Sequence, residues 1–372
     1  MRQFGKFSFY LVCAFCFAAM PVQSQHLRDG KFFDQGKAMT QRAENAPKEL
    51  DKMAFAVGQW DVTYSTYLGD SLAHTAVGQA EITYMNRGHA FMERFQLDDL
   101  DGIGTPLSTM AFLTYSPSFQ TWGLGEANSL SESISVLNGD FDGEHLRLQT
   151  VARIGGGMKL TYLRGSYQKK SDSQFDFIFE VSKDDGLSWQ KQIIKSYRKR
   201  NPQSDFLAPS SGFGNPAPHL PEQARQFDFL IGVFDATQEL TLPNGQQTRF
   251  PSTSTATYAL NGHAILEYNW YDVDRSLPDA ATSIIRIYNR AMRRWESLYL
   301  ANRGNNLLYF GGRQEGNQLV LHLFSSNTLA PRISRFVFHS AADDSYGWFA
   351  ETSTDHGKSF AKTWTIDFIR KQ

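Results

Sequence analysis

One chain carries the same ten-residue pattern twice, as N-R-G-H-A-F-M-E-R-F from Asn86 and as L-N-G-H-A-I-L-E-Y-N from Leu260. Repeats constrain architecture more than any local signal, because each copy must be one structural unit. The pattern is part of a longer collinear series. A-P-K-E-L-D-K-M-A-F-A-V-G-Q-W-D-V-T, from Ala46, answers L-P-E-Q-A-R-Q-F-D-F-L-I-G-V-F-D-A-T, from Leu220. Pro47, Phe55, Gly58, Asp61 and Thr63 match Pro221, Phe229, Gly232, Asp235 and Thr237 at an offset of 174, and Phe234 replaces Trp60. Gly88, His89, Ala90 and Glu93 match Gly262, His263, Ala264 and Glu267 at the same offset. Tyr115 and Trp122 match Tyr288 and Trp295 at 173, and Glu180, Ser182, Asp184, Gly186 and Ser188 match Glu351, Ser353, Asp355, Gly357 and Ser359 at 171. A drift of three across the series means a tandem duplication, about Pro47–Arg200 and Pro221–Gln372.

Within each copy the pattern is strand-like. E-I-T-Y-M, A-F-M-E-R-F-Q, M-A-F-L-T-Y, H-L-R-L-Q-T-V, K-L-T-Y-L and F-D-F-I-F-E-V-S follow one another, separated by Gly, Asn, Asp and Ser clusters. Each copy opens with a Pro and a short helix-like turn. The expected fold is all-β: two antiparallel barrels in tandem, each preceded by a short helix. A barrel of about 8–10 strands removes exposed edges and leaves room for one small ligand. N-P-Q-S-D-F-L-A-P-S-S-G-F-G-N-P-A-P-H, within residues 201–220, reads as a Pro/Ser/Gly linker. Residues 25–46 read as an N-terminal arm.

The first 24 residues read as a secretory signal peptide. Arg2 and Lys6 form a basic start, Phe7 to Met20 is apolar, and Val22-Gln23-Ser24 is an acceptable cleavage site. The apolar run is short of the ~20 residues that span a bilayer. A periplasmic or secreted location is therefore expected. Both cysteines, Cys13 and Cys16, fall inside that segment without a convincing lipobox, so the mature chain would have no thiol chemistry. The formal net charge is −1 with interspersed signs, which gives no field for nucleic acid.

The residues also carry a resemblance. F-x-x-G-x-W (Phe55, Gly58, Trp60; then Phe229, Gly232, Phe234), a strand opened by Gly88 or Gly262, a Tyr with a downstream Trp, S-x-D-x-G-x-[ST]-W and a basic last strand resemble the lipocalin-like (calycin) barrels of a bacterial family of uncharacterised domains. The resemblance covers most of both copies. It implies that the G-x-W aromatic packs under an arginine of the last strand, with Arg198 or Arg200, and Arg370, at the right place. It also implies one of two activities. One is non-catalytic binding of a small, mostly apolar molecule. The other is acid-catalysed hydration, cyclisation or isomerisation of an apolar substrate, as in tandem lipocalin-like enzymes, with Glu93 or Glu267 as the acid. A third possibility is a structural protein with filled barrels that binds a partner. Oligomeric state is not readable.

Candidate site residues follow from the repeat. Alternation puts His89, Phe91 and Glu93 on one face and Ala90, Met92 and Arg94 on the other, with His263, Ile265 and Glu267 repeating the first set. Residues four apart on a strand are ~13 Å apart, too far to share one metal ion or act as a direct pair. That face either looks inward and lines a pocket or is solvated outside. The ligand-binding candidates are His89, Glu93, Trp122, His263, Glu267, Trp295 and Tyr299; the aromatics serve equally as core. Asn128 and Asn302 are turn residues or pocket groups. Glu180 and Glu351 are interior or exposed. No cofactor or metal is expected, although a His-ligated heme stays open, with His89, His263 and His339 as candidates. S-K-D-D-G-L-S-W from Ser182 matches a propeller Asp-box, but a propeller needs one per ~40–50 residues. Here it marks a hairpin turn pinned by its aromatic.

Overall fold

The computed structural model describes residues 41–371 except 103, 154–159, 201–212, 243, 272–279, 303, 325–332 and 343. The expected signal peptide, most of the N-terminal arm and most of the linker lie outside the described residues.

Ten strands close the first barrel: β1 (Gly58–Leu68), β2 (Ser71–Met85), β3 (Ala90–Leu97), β4 (Leu107–Ser116), β5 (Thr121–Asn128), β6 (Ser133–Asp142), β7 (His145–Arg153), β8 (Leu160–Ser171), β9 (Gln174–Ser182) and β10 (Gln190–Lys199). Ten more close the second: β11 (Gly232–Thr241), β12 (Gln247–Ala259), β13 (Ala264–Tyr271), β14 (Ala281–Asn289), β15 (Arg294–Ala301), β16 (Leu307–Glu315), β17 (Gln318–Leu323), β18 (Ile333–Ala342), β19 (Ser345–Ser353) and β20 (Ala361–Arg370). Each is an up-and-down meander whose first strand pairs antiparallel with its last, so neither sheet has an edge. The helix before each barrel is 3-10, Lys48–Ala56 in the first and Glu222–Arg225 with Asp228–Leu230 in the second. Pro47 and Pro221 sit at the N-cap rather than inside the first turn. Among the described residues, no helix is long and apolar enough to cross a membrane.

These helices plug one end of each barrel, the floor. Leu50 and Met53 enter the first core; Phe227 and Leu230 enter the second. Gly58 and Gly232 open the first strands at φ +142° and +131°, and a cation of the last strand folds over them. In barrel 2 the Arg370 guanidinium lies 4.5 Å from the Phe234 ring centroid, as the resemblance implies. In barrel 1 Lys199, not Arg198 or Arg200, lies over Trp60 at 5.5 Å, because Lys199 is the residue in register with Trp60.

The repeated glycine is explained at the next floor turn. Gly88 (φ +84°) and Gly262 (φ +85°) each follow residues with positive φ, Asn86–Arg87 and Leu260–Asn261. A Cβ there would stand 2.5 Å from Ala43 N or 2.4 Å from Ala217 N. The chain before each helix crosses at this point, donating Ala43 N–H to Gly88 O at 3.2 Å and Ala217 N–H to Gly262 O at 3.1 Å. The repeat therefore extends upstream of the two prolines.

The barrels dock through equivalent outward faces. Ala90, Met92, Phe112 and Ala127 meet Ala264, Leu266, Ile285 and Leu298 in a buried cluster. Gly125 leaves room for Leu298, its register counterpart, and Gly123 abuts Leu307. Reciprocally, Ile134, the counterpart of Leu307, donates its N–H to Glu296 Oε2 at 2.9 Å. Such reciprocity marks an isologous contact. The two barrels therefore run antiparallel, the floor of one beside the open end of the other. Asn86, at the floor of barrel 1, donates to Leu300 O at 2.9 Å and accepts from Ser283 Oγ at 2.6 Å, both near the open end of barrel 2.

Candidate functional site

The open end of barrel 2, opposite its helices, holds a cavity of about 310 Å³. Its walls are mostly apolar: Leu240, Phe250, Ala301, Leu308 and Trp364. Polar atoms come from Gln238, Tyr271, Thr282, Tyr299, Asn302 and Asn306. Period-2 alternation explains the set, since Gln238 and Leu240 on β11 share a face, as do Tyr299 and Ala301 on β15. The Tyr271 and Thr282 hydroxyls are 3.1 Å apart. Trp364 Nε1–H donates to Gln238 Oε1 at 3.0 Å, and Gln238 Nε2 donates to Ser252 Oγ at 2.8 Å. Burial pushes Tyr271 up to about 12 and holds Tyr299 well above the ordinary tyrosine value, so both hydroxyls keep their protons at neutral pH. One wall is braced by the other barrel, where Ser116 Oγ–H donates to Asn306 Oδ1 at 2.9 Å.

Beneath the cavity Glu267 is fully engaged. Arg286 Nη1 pairs with its Oε2, while Ser254 Oγ at 3.2 Å and Asn269 Nδ2 at 2.9 Å donate to its Oε1. The same Asn269 amide donates to Thr282 Oγ1 at 3.2 Å, linking this pair to the cavity hydroxyls. Arg286 lies between Phe227 and Phe338, 5.4 and 5.5 Å from their centroids.

Barrel 1 keeps the carboxylate and changes its surroundings. Glu93 accepts from Tyr197 Oη at 2.6 Å, and Lys195 Nζ lies 3.6 Å from it and 3.0 Å from Glu126. Burial opposes the Lys195 charge, but Glu126 and then Glu93 outweigh it and hold the ammonium above the ordinary lysine value. The space beside Glu93 is about 10 Å³, room for about one water. By register Tyr64, Glu126 and Lys195 correspond to Gln238, Tyr299 and Ile366. Charged side chains thus occupy in barrel 1 the level that barrel 2 gives to hydroxyls, amides and empty space.

The sequence candidates separate accordingly. Tyr299 lines the barrel 2 cavity, and Glu93 lines the small barrel 1 void. Glu93 and Glu267 do face inward, with Phe91 and Ile265 beside them in the cores. His89 and His263 do not share that face, because each precedes its strand in the floor turn. His89 Nε2 bonds Asn45 Oδ1 at 3.2 Å, and His263 Nδ1 bonds Glu132 of barrel 1 at 3.0 Å. His339 lies against Phe349, with ring centroids 5.4 Å apart, and Phe349 belongs to an outer cluster rather than the lumen. The three histidines considered for heme thus lie outside the lumens. Among the described residues no cluster of three or more His, Cys, Asp or Glu could hold a metal. Trp122 and Trp295 are floor-level core: Trp122 packs on Tyr115 and Phe141, and Trp295 packs on Phe227 and donates to Gln226 Oε1 at 3.2 Å. Arg94, expected on the outward face, is there but pairs with Glu81 and is buried.

Asn128 caps a turn, accepting from Leu130 N at 2.8 Å, whereas Asn302 reaches the cavity rim. Glu180 and Glu351 pair with Arg164 and Arg335, each at 2.8 Å. Those arginines stack on Trp189 and Phe360, at 4.1 and 3.8 Å, beside the two Asp-turns. Hydroxyl and amide donors of Ser188 and Ser182 hold Asp184 down to about 2, and Ser359 and Ser353 depress Asp355 likewise. These are built hairpins. Sequence reasoning missed Gln238, Tyr271, Thr282, Asn306 and Trp364. The usable signal was the late T-W in A-K-T-W-T-I-D-F, whose Trp has no counterpart in barrel 1, where Ile193 stands.

No protein-family model matches the chain, and no curated protein matches it. Among solved structures, the S-type phycobiliprotein lyase CPES from Guillardia theta is 14% identical over 39% of this chain and 90% of that one, with a TM-score of 0.28. A protein of unknown function from the DUF3598 family of Nostoc punctiforme is 8% identical over 87% of this chain and 100% of that one, with a TM-score of 0.23. At these scores neither bears on the site.

Proposed function

We propose that the protein is a binder of a small, mostly apolar molecule, held at the mouth of barrel 2. The observation that carries this reading is the cavity of about 310 Å³, whose walls are largely hydrocarbon with a few convergent polar atoms. Ligand sites have this composition, and ~300 Å³ is the lower end of their range. A dry cavity of ~150 Å³ takes benzene, so this one suits about two rings. The acid-catalysis alternative finds less support. Glu267 lies below the cavity with both oxygens engaged, and Glu93 has no room for a substrate.

The floor cations over Trp60 and Phe234 support calycin-like descent, although each barrel has ten strands where lipocalins have eight. The basic and apolar N-terminus supports export, which fractionation of a tagged full-length chain tests. Binding is tested with prodan, a neutral fluorophore whose emission shifts to the blue in apolar surroundings. The reading expects saturable blue-shifted emission in the wild type, lost in Ala301→Phe, which fills the cavity. Equal binding by that variant would place the probe elsewhere and end the proposal.

A further inference from the structure

Among the described residues, the cavity wall contains no Asp, Glu, Lys, Arg or His. The nearest buried charges beneath it, Glu267 and Arg286, are spent on each other. An ionised group seated against these described wall residues would shed water and meet no counter-ion among them, and burial of an unpaired charge is strongly unfavourable. Barrel 1 shows that the fold accepts charge at this level, since Lys195 and Glu126 stand where barrel 2 has Ile366 and Tyr299. The hydroxyls of Tyr271, Thr282 and Tyr299 form the polar spot, anchored from below by Asn269. A hydroxyl both donates and accepts, so this spot serves a carbonyl or an alcohol.

We propose that the barrel 2 cavity selects uncharged molecules of about two rings bearing one carbonyl or hydroxyl group, and that the Tyr271–Thr282–Tyr299 hydroxyls read that group. The proposal rests on the reading of barrel 2 as a binding barrel. Its selectivity excludes carboxylates, including those of fatty acids, and ammonium ions.

The test titrates the full-length protein at pH 7 with four probes of one size: 2-acetonaphthone, 2-ethylnaphthalene, 2-naphthoate and 2-naphthylmethylammonium. The ketone is expected to bind tightest, and the two ions at least about a hundredfold more weakly. Tyr299→Phe and Tyr271→Phe, which keep the ring, are expected to weaken the ketone about fivefold to tenfold. They should leave 2-ethylnaphthalene within about twofold. Binding of either ion within tenfold of the ketone overturns the selection for neutral ligands. An unchanged ketone-to-hydrocarbon ratio in both variants overturns the role of the hydroxyls. Failure of all four probes refutes the underlying binding reading instead, so the two failures are distinct.

Discussion

A size exchange across the seam between the barrels tests how the two halves fit. Gly125 and Leu298 are register counterparts that face each other there, and Leu298 is fully buried. A Cβ added at Gly125 would stand 2.6 and 2.7 Å from the two Leu298 methyl carbons. Normal carbon contacts are ~3.5–4.0 Å, so Gly125→Ala overlaps by about 1 Å. Leucine methyl ends can turn, which puts the overpacking cost at the low end, about 1–2 kcal/mol. Leu298→Ala leaves a hole between two rigid sheets, costing about 3 kcal/mol. Independent effects would sum to about 4–5 kcal/mol. The double variant removes the overlap and partly refills the hole, so its cost should be about 2–3 kcal/mol, a coupling of about 2 kcal/mol. Urea unfolding followed by tryptophan emission measures all three. Simple additivity would mean that Gly125 and Leu298 do not touch, and would refute the docking of the barrels through equivalent faces.

Other consequences are as direct. Ser116→Ala removes the brace on Asn306 and should lower stability by about 1 kcal/mol in the same urea assay. Gly262→Ala should cost about 3 kcal/mol, from left-handed strain plus the lost bond to Ala217. Gly316→Ala, also at positive φ but with open space around it, should cost only about 1 kcal/mol in the same urea assay. The Asp184 turn has a sign that can be worked out. Its carboxyl is lowered from 3.8 to about 2, so its stabilising bonds are complete above 3.8 and are lost as pH falls through about 2. The Ser188 amide resonance should therefore titrate near pH 2; a midpoint near 4 would mean the turn is not formed.

Much of the architecture is legible in the residues, because a drift of three positions over the repeat leaves room only for two copies of one unit. The G-H-A-x-x-E pattern divides into three separate requirements. The glycine admits the crossing chain, the alanine lets the barrels approach, and the glutamate anchors a buried polar cluster. Histidine was misplaced by alternation counted one residue too early, since β3 and β13 begin after it. The seam left a trace in S-I-I-R-I-Y, whose adjacent isoleucines put apolar side chains on both faces of one strand, Ile284 inside and Ile285 with Ile287 outside. The cavity left almost none. Whether a lumen is filled depends on pairs such as Glu126 with Lys195, far apart in the chain and brought together only by closure of the barrel.

The most direct measurement is a crystal structure of the full-length protein grown with 2-acetonaphthone. The account predicts density for the naphthyl rings between Phe250, Leu308 and Trp364, with the ketone oxygen within hydrogen-bond reach of the Tyr271 or Tyr299 hydroxyl. A mouth closed by its own side chains, or the ketone seated in barrel 1 or on the outer surface, would contradict it.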